Sequence, residues 1–262
     1  GLFCEINKLL SISIMIILKK IFSYFYYIYF AILFVCFCFL LGPFVFFGVR
    51  GQNKCKRAKR IKTFWSKWMM FLMGIRINVE GLDKIDFSKN YIICPNHKSD
   101  LDIILMYLII PQDFAFIGKS ELLKWPVIRF FFKRGVDIPV FRDSVSKAAK
   151  CLVQAKAEIE KSRSIVIFPE GGWDNSETEM RRFKSGAFQL AIDTGLSILP
   201  LTFKNNYQLF TDYSDFSGNS KPGIARVVIH QPINVDSLSR KDLVSLKNKT
   251  FNIIQQELTS EN

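Results

Sequence analysis

Histidine is nearly absent from this chain, with only His97 and His230 among 262 residues. A protein zinc site usually needs three or four Cys, His or carboxylate ligands at short spacings. Cys94 and His97 would form one Cys-x-x-His pair. The isolated Cys151 and His230 would have to complete the set, and neither belongs to a second pair. We therefore expect no metal centre, and we interpret His230, in a predicted strand, as structural.

The cysteines do not form a disulfide framework either. The six of them lie at positions 4, 36, 38, 55, 94 and 151, without the paired spacing of a disulfide-stapled domain. Such scattering is typical of free thiols in a reducing compartment. Cys94 lies in an apolar run that resembles a buried strand, so we do not expect it to act as a nucleophile.

No charged residue occurs from Ile21 to Val49. Ile21–Leu41 alone is long enough to cross a hydrocarbon core of about 30 Å, and Gly42-Pro43 should end or bend that helix. The run lacks a small-residue cleavage site, which argues against a signal peptide. Tyrosines cluster near its start, at positions 24, 26, 27 and 29, as interfacial aromatics do. We expect residues 1–49 to anchor the chain in a membrane, as a span or as a re-entrant or monotopic hairpin.

No acidic residue occurs from Arg50 to Lys62, where seven residues are basic. Nucleic-acid-binding arms have similar runs, but a position directly after an apolar segment favours the anionic cytoplasmic face of a bilayer. Apolar residues then recur at helical spacing with lysines opposite: Ala58, Ile61, Trp65, Trp68, Met69 and Leu72. We predict an amphipathic interfacial helix within residues 50–77, with the following domain on the cytoplasmic side and no nucleic-acid partner. A helix packed on that domain is the alternative.

Residues 78–262 have the pattern of a globular α/β domain. Strand candidates lie at 91–94, 114–117, 136–140, 165–168, 198–203 and 226–230. Helical candidates lie at 99–110, 120–133, 144–161, 184–194 and 238–257. This alternation predicts a mixed, largely parallel sheet covered by helices on both faces.

His97 lies where the first of these predicted strands passes into a helix. Open α/β sheets bind their ligands at such an edge. Ser99 is placed to cap the helix, which would put Asp102 in its first turn, within reach of the imidazole. This geometry would let the carboxylate of an aspartate hold His97 as a general base. The spacing does not decide between Asp100 and Asp102 as the partner, and a structural His–Asp hydrogen bond is the other interpretation.

Asn96 to Asp102 is similar to the NHxxxxD motif of the glycerolipid acyltransferases, in particular the 1-acylglycerol-3-phosphate acyltransferases. Three later blocks resemble the same family in the same order: Gly118-Lys119-Ser120-Glu121-Leu122 with Pro126, Gly135 and Arg142; Phe168-Pro169-Glu170-Gly171; and Leu199-Pro200-Leu201. One block would be a weak signal, but four in order across residues 90–205 are specific. The resemblance implies a glycerolipid acyltransferase fold for residues 78–262.

The resemblance implies that His97 is the general base and that Asp102 orients it. It also implies a set of substrate-binding residues: Asn96, Lys119, Arg142, Glu170, Gly171 and Lys184. In this set Glu170 and Gly171 would contact the acceptor. Arg142 would bind its phosphate, and Lys184 lies near a predicted helix N-terminus, which attracts anions in its own right.

The chain departs from the family pattern at two places. Gly172-Trp173 stands where a Thr-Arg pair commonly follows the third motif, and Arg129 stands where the second block usually has Gly. The missing arginine leaves the phosphate contact incomplete. Arg181 and Arg182 are the next candidates to supply it.

The reaction implied is transfer of an acyl group from a thioester to the 2-hydroxyl of 1-acylglycerol-3-phosphate (lysophosphatidate), which makes phosphatidate. The donor would be acyl-CoA or an acylated carrier protein, no cofactor would be needed beyond this co-substrate, and membrane lipids are further partners. The hydroxyl of the acceptor would be the nucleophile. Alternatives are another lysophospholipid acceptor, transfer to water, or a non-catalytic membrane-binding protein that retains the fold.

Overall fold

The structure is a computed structural model that describes residues 2–141, 145–172, 180–211 and 220–260. Its helices are α1 (Leu2–Gly48), α2 (Lys54–Leu72), α3 (Asp100–Ile109), α4 (Pro126–Lys133), α5 (Val145–Ile159), α6 (Gly186–Thr194), α7 (Asn206–Leu209) and α8 (Leu243–Thr259). Its strands are β1 (Ile75–Glu80), β2 (Ile92–Pro95), β3 (Phe114–Lys119), β4 (Ile138–Val140), β5 (Ser164–Val166), β6 (Ile198–Phe203) and β7 (Gly223–Ile229). Short 3₁₀ turns lie at Leu82–Lys84, Ser120–Lys124 and Arg240–Asp242.

The strands form one sheet in the order β1-β7-β6-β2-β5-β3-β4. Neighbouring strands run parallel except β6 with β7, so the predicted mixed, largely parallel sheet is confirmed. In the middle, Ile92 of β2 lies opposite Ile198 of β6 and Ile165 of β5. Because these strands are parallel, the carboxyl ends of β2, β5 and β3 meet at the same edge of the sheet.

Helices cover both faces of the sheet, as the alternation of elements predicts. On β2, Ile93 packs into the cluster formed with α2 and α3, whereas Ile92 and Cys94 pack into the cluster formed with α5, α6 and α8. Successive side chains of a strand point to opposite faces, so an uninterrupted apolar run is required where both faces are covered.

The set of predicted strands omits β1, which pairs with β7 at one end of the sheet. Ile75, Ile77 and Val79 alternate with the exposed Arg76, Asn78 and Glu80. This period of two is the signal of a half-buried strand. The sheet therefore begins at Ile75, ahead of the domain boundary expected at residue 78.

The helix α1 is continuous and passes through Pro43, so of the two outcomes expected at Gly42-Pro43, an end or a bend, the helix does not end there. It contains no turn, and the hairpin alternative is not realised within it. From Cys4 to Gly48 it is long and apolar enough to cross a membrane by length and composition, which makes it a candidate membrane anchor. Its 47 residues would extend about 70 Å, more than twice a hydrocarbon core of about 30 Å.

One face of the second half of α1 packs on the globular domain. Tyr27, Phe30, Leu33 and Phe37 lie against the cluster of α2 and α3, and Tyr26 is buried in it. Tyr26 donates its hydroxyl to the Met73 carbonyl at 2.6 Å. Tyr26, one of the four clustered tyrosines, therefore satisfies a backbone carbonyl at the C-terminal end of α2.

The helix α2 has one face on the domain and one face exposed. Ala58, Ser66, Met69 and Met70 are buried, whereas the opposite face exposes Phe64, Trp68, Phe71 and Leu72. The buried face of α2 therefore packs on the domain, which was the alternative expected for this segment. The exposed apolar face remains compatible with an interfacial helix.

Two lysines of α2 point into the protein. Lys62 is buried, pairs with the Asp137 carboxylate and donates to the Tyr107 hydroxyl at 2.9 Å. Lys59 donates to the Ile110 carbonyl at 2.6 Å, at the C-terminal end of α3. Burial lowers the pKa of Lys59 to about 7, against an attraction to Asp113. The basic run therefore contributes charge to the fold as well as to the surface.

Candidate active site

The His97 imidazole and the Asp102 carboxylate form a buried dyad between β2 and α3. The His97 Nδ1 lies 2.9 Å from Asp102 Oδ2, and the two residues are only 6% and 0% exposed. Because the carboxylate accepts, Nδ1 carries the proton and Nε2 is left as the basic nitrogen. Asp100 is exposed at the first turn of α3, and the geometry selects Asp102 as the partner of His97.

The position of Asp102 is produced by the capping of α3. Ser99 is the N-cap, and its backbone N–H donates to Asp102 Oδ2 at 2.9 Å in a capping box. The Lys98 N–H donates to the same oxygen at 2.8 Å. The cap that starts the helix therefore also holds the carboxylate toward His97.

Phe168, at the end of β5, fixes the plane of the imidazole. Its ring stacks on that of His97 with centroids 3.9 Å apart and 19° between planes. Phe116 of β3 lies parallel to Phe168 at 5.9 Å. Strand β3 and the loops that follow the neighbouring strands β5 and β2 thus each contribute one ring to this stack. The sequence places Phe168 in a motif but gives no signal for this contact.

Glu170 joins two loops rather than presenting a free carboxylate. Its Oε1 accepts the His97 backbone N–H at 2.8 Å, and its Oε2 accepts the Arg181 backbone N–H at 2.9 Å. Burial raises the pKa of Glu170, and these two N–H groups lower it in part. Both oxygens of Glu170 thus take part in the fold, and its expected contact with the acceptor stays a prediction.

Lys184 lies against the turn that Gly171 forms. Gly171 has a φ of +70°, and a Cβ there would be 2.9 Å from the Lys184 Nζ and closer still to its Cε. The Lys184 N–H donates to the Pro169 carbonyl at 2.8 Å. An exposed ammonium is therefore held beside the turn that carries Glu170, just before α6.

The other three expected substrate-binding residues, Asn96, Lys119 and Arg142, differ in where they lie. Asn96 is buried, and its amide pairs with both backbone groups of Phe203, at 3.0 and 2.7 Å. It therefore joins β2 to β6, and its expected contact with substrate stays a prediction. Lys119 ends β3, two strands from β2, or about 10 Å at the usual strand spacing. Arg142 lies outside the described residues.

Asn206 at the start of α7 contacts the dyad, and Phe210, the residue after α7, contacts the cap of α3. Asn206 donates Nδ2 to Asp102 Oδ1 at 2.7 Å, and the Phe210 carbonyl accepts the Ser99 hydroxyl at 2.5 Å. Sequence reasoning missed both, because the partners lie 104 and 111 residues apart. The outlying His230 shares a 2.8 Å hydrogen bond with Thr202, and burial lowers its pKa, in agreement with a structural role.

Comparison with known proteins agrees with this site. A family model described as acyltransferase matches residues 76–204, from β1 to the end of β6. This range contains the dyad, Glu170 and Lys184. The match and the site place the chain among acyltransferases.

Relatives define the family further. A 1-acyl-sn-glycerol-3-phosphate acyltransferase of Borreliella burgdorferi is 32% identical over 180 residues, 69% of this chain and 70% of the relative. A chloroplast enzyme of the same name from Arabidopsis thaliana is 30% identical over 61% of this chain, which spans only 44% of that relative. The chain belongs to the 1-acyl-sn-glycerol-3-phosphate acyltransferase family.

A solved structure supports the fold assignment. The crystal structure of the 1-acyl-sn-glycerophosphate acyltransferase from Thermotoga maritima matches with a TM-score of 0.76. The match covers 92% of this chain and 96% of that one at 22% identity. The glycerolipid acyltransferase fold expected from the motifs is confirmed.

The contacts of Glu170 lead to a first prediction. Glu170→Gln keeps the volume but turns one end of the side chain into a donor that faces a backbone N–H. A hydrogen bond to a charged group is worth about 1.5–3 kcal/mol, so the variant should melt at a lower temperature in detergent and lose at least about tenfold in kcat. The KM for the acceptor should change little.

The exposed Glu160→Gln is the matched control and should behave as the unmodified protein. If Glu170→Gln melts normally and raises only the acceptor KM, then Glu170 contacts the acceptor after all, as the motif implied.

Proposed function

We propose that this protein transfers an acyl group from a thioester to the 2-hydroxyl of 1-acylglycerol-3-phosphate and so makes phosphatidate. The observation that supports this most directly is the buried His97–Asp102 dyad at the carboxyl edge of the sheet, with the Lys184 ammonium held at the neighbouring turn. The names of the relatives agree with this acceptor. The donor is acyl-CoA or an acylated carrier protein.

In the proposed reaction His97 Nε2 takes the proton of the acceptor hydroxyl as its oxygen attacks the thioester carbonyl. Asp102 stabilises the imidazolium that forms and keeps its tautomer. The tetrahedral intermediate then expels the thiolate, which recovers the proton from His97. A thiolate is a good leaving group, so no acyl-enzyme and no cofactor are required in this proposal.

The dyad is tested by substitution. His97→Ala should lower kcat by about 10²–10⁴, the usual effect of losing a positioned base, with little change in either KM. Asp102→Asn should also reduce kcat steeply, because the amide offers the imidazole a wrong partner. Acyl transfer by purified protein, with lysophosphatidate, other lysophospholipids and water as acceptors, is the measurement.

Asp100→Asn serves as the internal control and should retain activity, because Asp100 is exposed and Asp102 is the carboxylate that lies 2.9 Å from His97 Nδ1. Folded His97→Ala protein with near-normal transfer would contradict the proposed mechanism. Faster transfer to another lysophospholipid, or to water, would contradict the proposed substrate and leave the dyad intact.

The phosphate of the acceptor gives a separate prediction. Lys184→Ala should raise the KM for lysophosphatidate by roughly 10- to 150-fold, the equivalent of about 1.5–3 kcal/mol for a charge-assisted contact. Arg142→Ala should have a similar effect. The KM for the acyl donor should be unchanged, and so should the KM for monoacylglycerol, which lacks the phosphate.

Lys249→Ala, an exposed lysine on α8, controls for loss of surface charge. Equal losses with lysophosphatidate and monoacylglycerol would show that Lys184 acts on something other than the phosphate. Normal kinetics in both variants would direct attention to Arg181 and Arg182.

We propose that α1 anchors the chain in a membrane, with the catalytic domain on the cytoplasmic side. The basic run of residues 50–62, which follows α1 and extends into the first half of α2, supports this orientation. A cysteine introduced by Asn248→Cys on α8, in a variant without Cys4 and Cys36, should react with a membrane-impermeant maleimide in inverted vesicles. Labelling from the outside of intact cells would reverse the assigned orientation.

A further inference from the structure

The two oxygens of the Asp102 carboxylate accept hydrogen bonds from different parts of the chain. Oδ2 accepts from His97, Lys98 and Ser99, which all lie within five residues of Asp102. Among the described residues, Asn206 is the one donor to Oδ1, at 2.7 Å. The local bonds hold Oδ2 in place relative to the loop before α3. The bond to Oδ1 ties the same carboxylate to a remote segment of the fold.

The segment that carries Asn206 is held at both of its ends. Asn206 is 1% exposed and begins α7. The preceding Asn205 pairs with β7, donating to the Ile224 carbonyl and accepting from the Arg226 N–H, both at 2.9 Å. At the other end of the segment the Phe210 carbonyl accepts the Ser99 hydroxyl. The Asn206 amide is buried with no hydrogen-bond partner for its oxygen among the described residues, and the Asp102 carboxylate can accept only from its nitrogen.

We infer that Asn206 is a positioning residue for the catalytic dyad, acting through Oδ1 of Asp102. It fixes the angle at which the carboxylate meets His97 Nδ1, and so the direction in which Nε2 points. It also draws negative charge from the carboxylate. The inference rests on the proposed role of His97 as general base. No motif in the sequence assigned a role to Asn206.

The test is Asn206→Leu, which is close in volume and removes the donor. We expect kcat to fall by about 10²-fold, since a small misplacement of a catalytic group has effects of this size, with both KM values within about twofold. The variant carboxylate keeps more negative charge and stabilises the imidazolium more. The acid limb of the kcat/KM profile should therefore move to higher pH, with Glu170 and Lys98, the other charged groups beside His97, left unchanged.

A double-mutant cycle with Asp102→Asn tests whether the two residues act together. If Asn206 works through Asp102, Asn206→Leu should have little further effect on kcat in the Asp102→Asn background. A full additional loss there would overturn the inference. If Asn206→Leu does not fold, as judged by its melting transition in detergent, Asn206→Ala is measured in the same cycle.

Two controls separate a positioning role from a structural one. Gln208 is exposed on the same short helix, and Gln208→Ala should leave kcat and the pH profile unchanged. Asn205→Ala loosens α7 from β7 but keeps the Asn206 donor, so it should lower the melting temperature and move the acid limb less than Asn206→Leu does. An acid limb that stays in place in Asn206→Leu, or moves equally in Asn205→Ala, would overturn the inference.

Failure of the inference is distinguishable from failure of the proposed mechanism. If His97→Ala and Asp102→Asn are inactive while Asn206→Leu has normal kcat, the dyad stands and the positioning role does not. If folded His97→Ala is active, the mechanism fails, and a role for Asn206 in positioning the dyad fails with it.

Discussion

The active site depends on a carboxylate that is buried with no exposed surface. Removing an ionised carboxylate from water is costly unless its oxygens are hydrogen-bonded. Asp102 meets this requirement with donors to both of its oxygens, and one of those donors is the His97 ring itself. The same contacts that make the burial tolerable also orient the base. Stability and catalysis at this position therefore depend on the same hydrogen bonds.

The parallel sheet explains why distant motifs meet at one place. Loops that follow β2 and β5 leave the same edge, and Glu170 joins them by accepting the backbone N–H of His97 on one side and of Arg181 on the other. A carboxylate is well suited to this task, because it can accept from two separate loops at once. The turn at Gly171 then leaves room for the Lys184 side chain.

Much of this arrangement could be predicted from the sequence, because its causes are local. The apolar strand before Cys94, the Ser99 cap and the spacing from His97 to Asp102 lie within a dozen residues, so periodicity and capping rules apply to them directly. What could not be predicted depends on side chains from remote segments. Asn96 and Glu170 accept from backbone groups that only the fold brings close to them. Asn206 gave no signal at all, since one asparagine at the start of a four-residue helix has no periodicity.

The two ends of α3 show how the anchor and the site are connected. At its N-terminus, Ser99 donates to Phe210, whose ring lies 4.4 Å from that of Phe30 on α1. At its C-terminus, Lys59 of α2 donates to the Ile110 carbonyl, where the helix dipole favours a cation. The N-terminal end of α3 is thus connected to α1, the candidate anchor, through Phe210, and its C-terminal end is bonded directly to α2. The position of the dyad follows from how those segments pack as well as from the sheet.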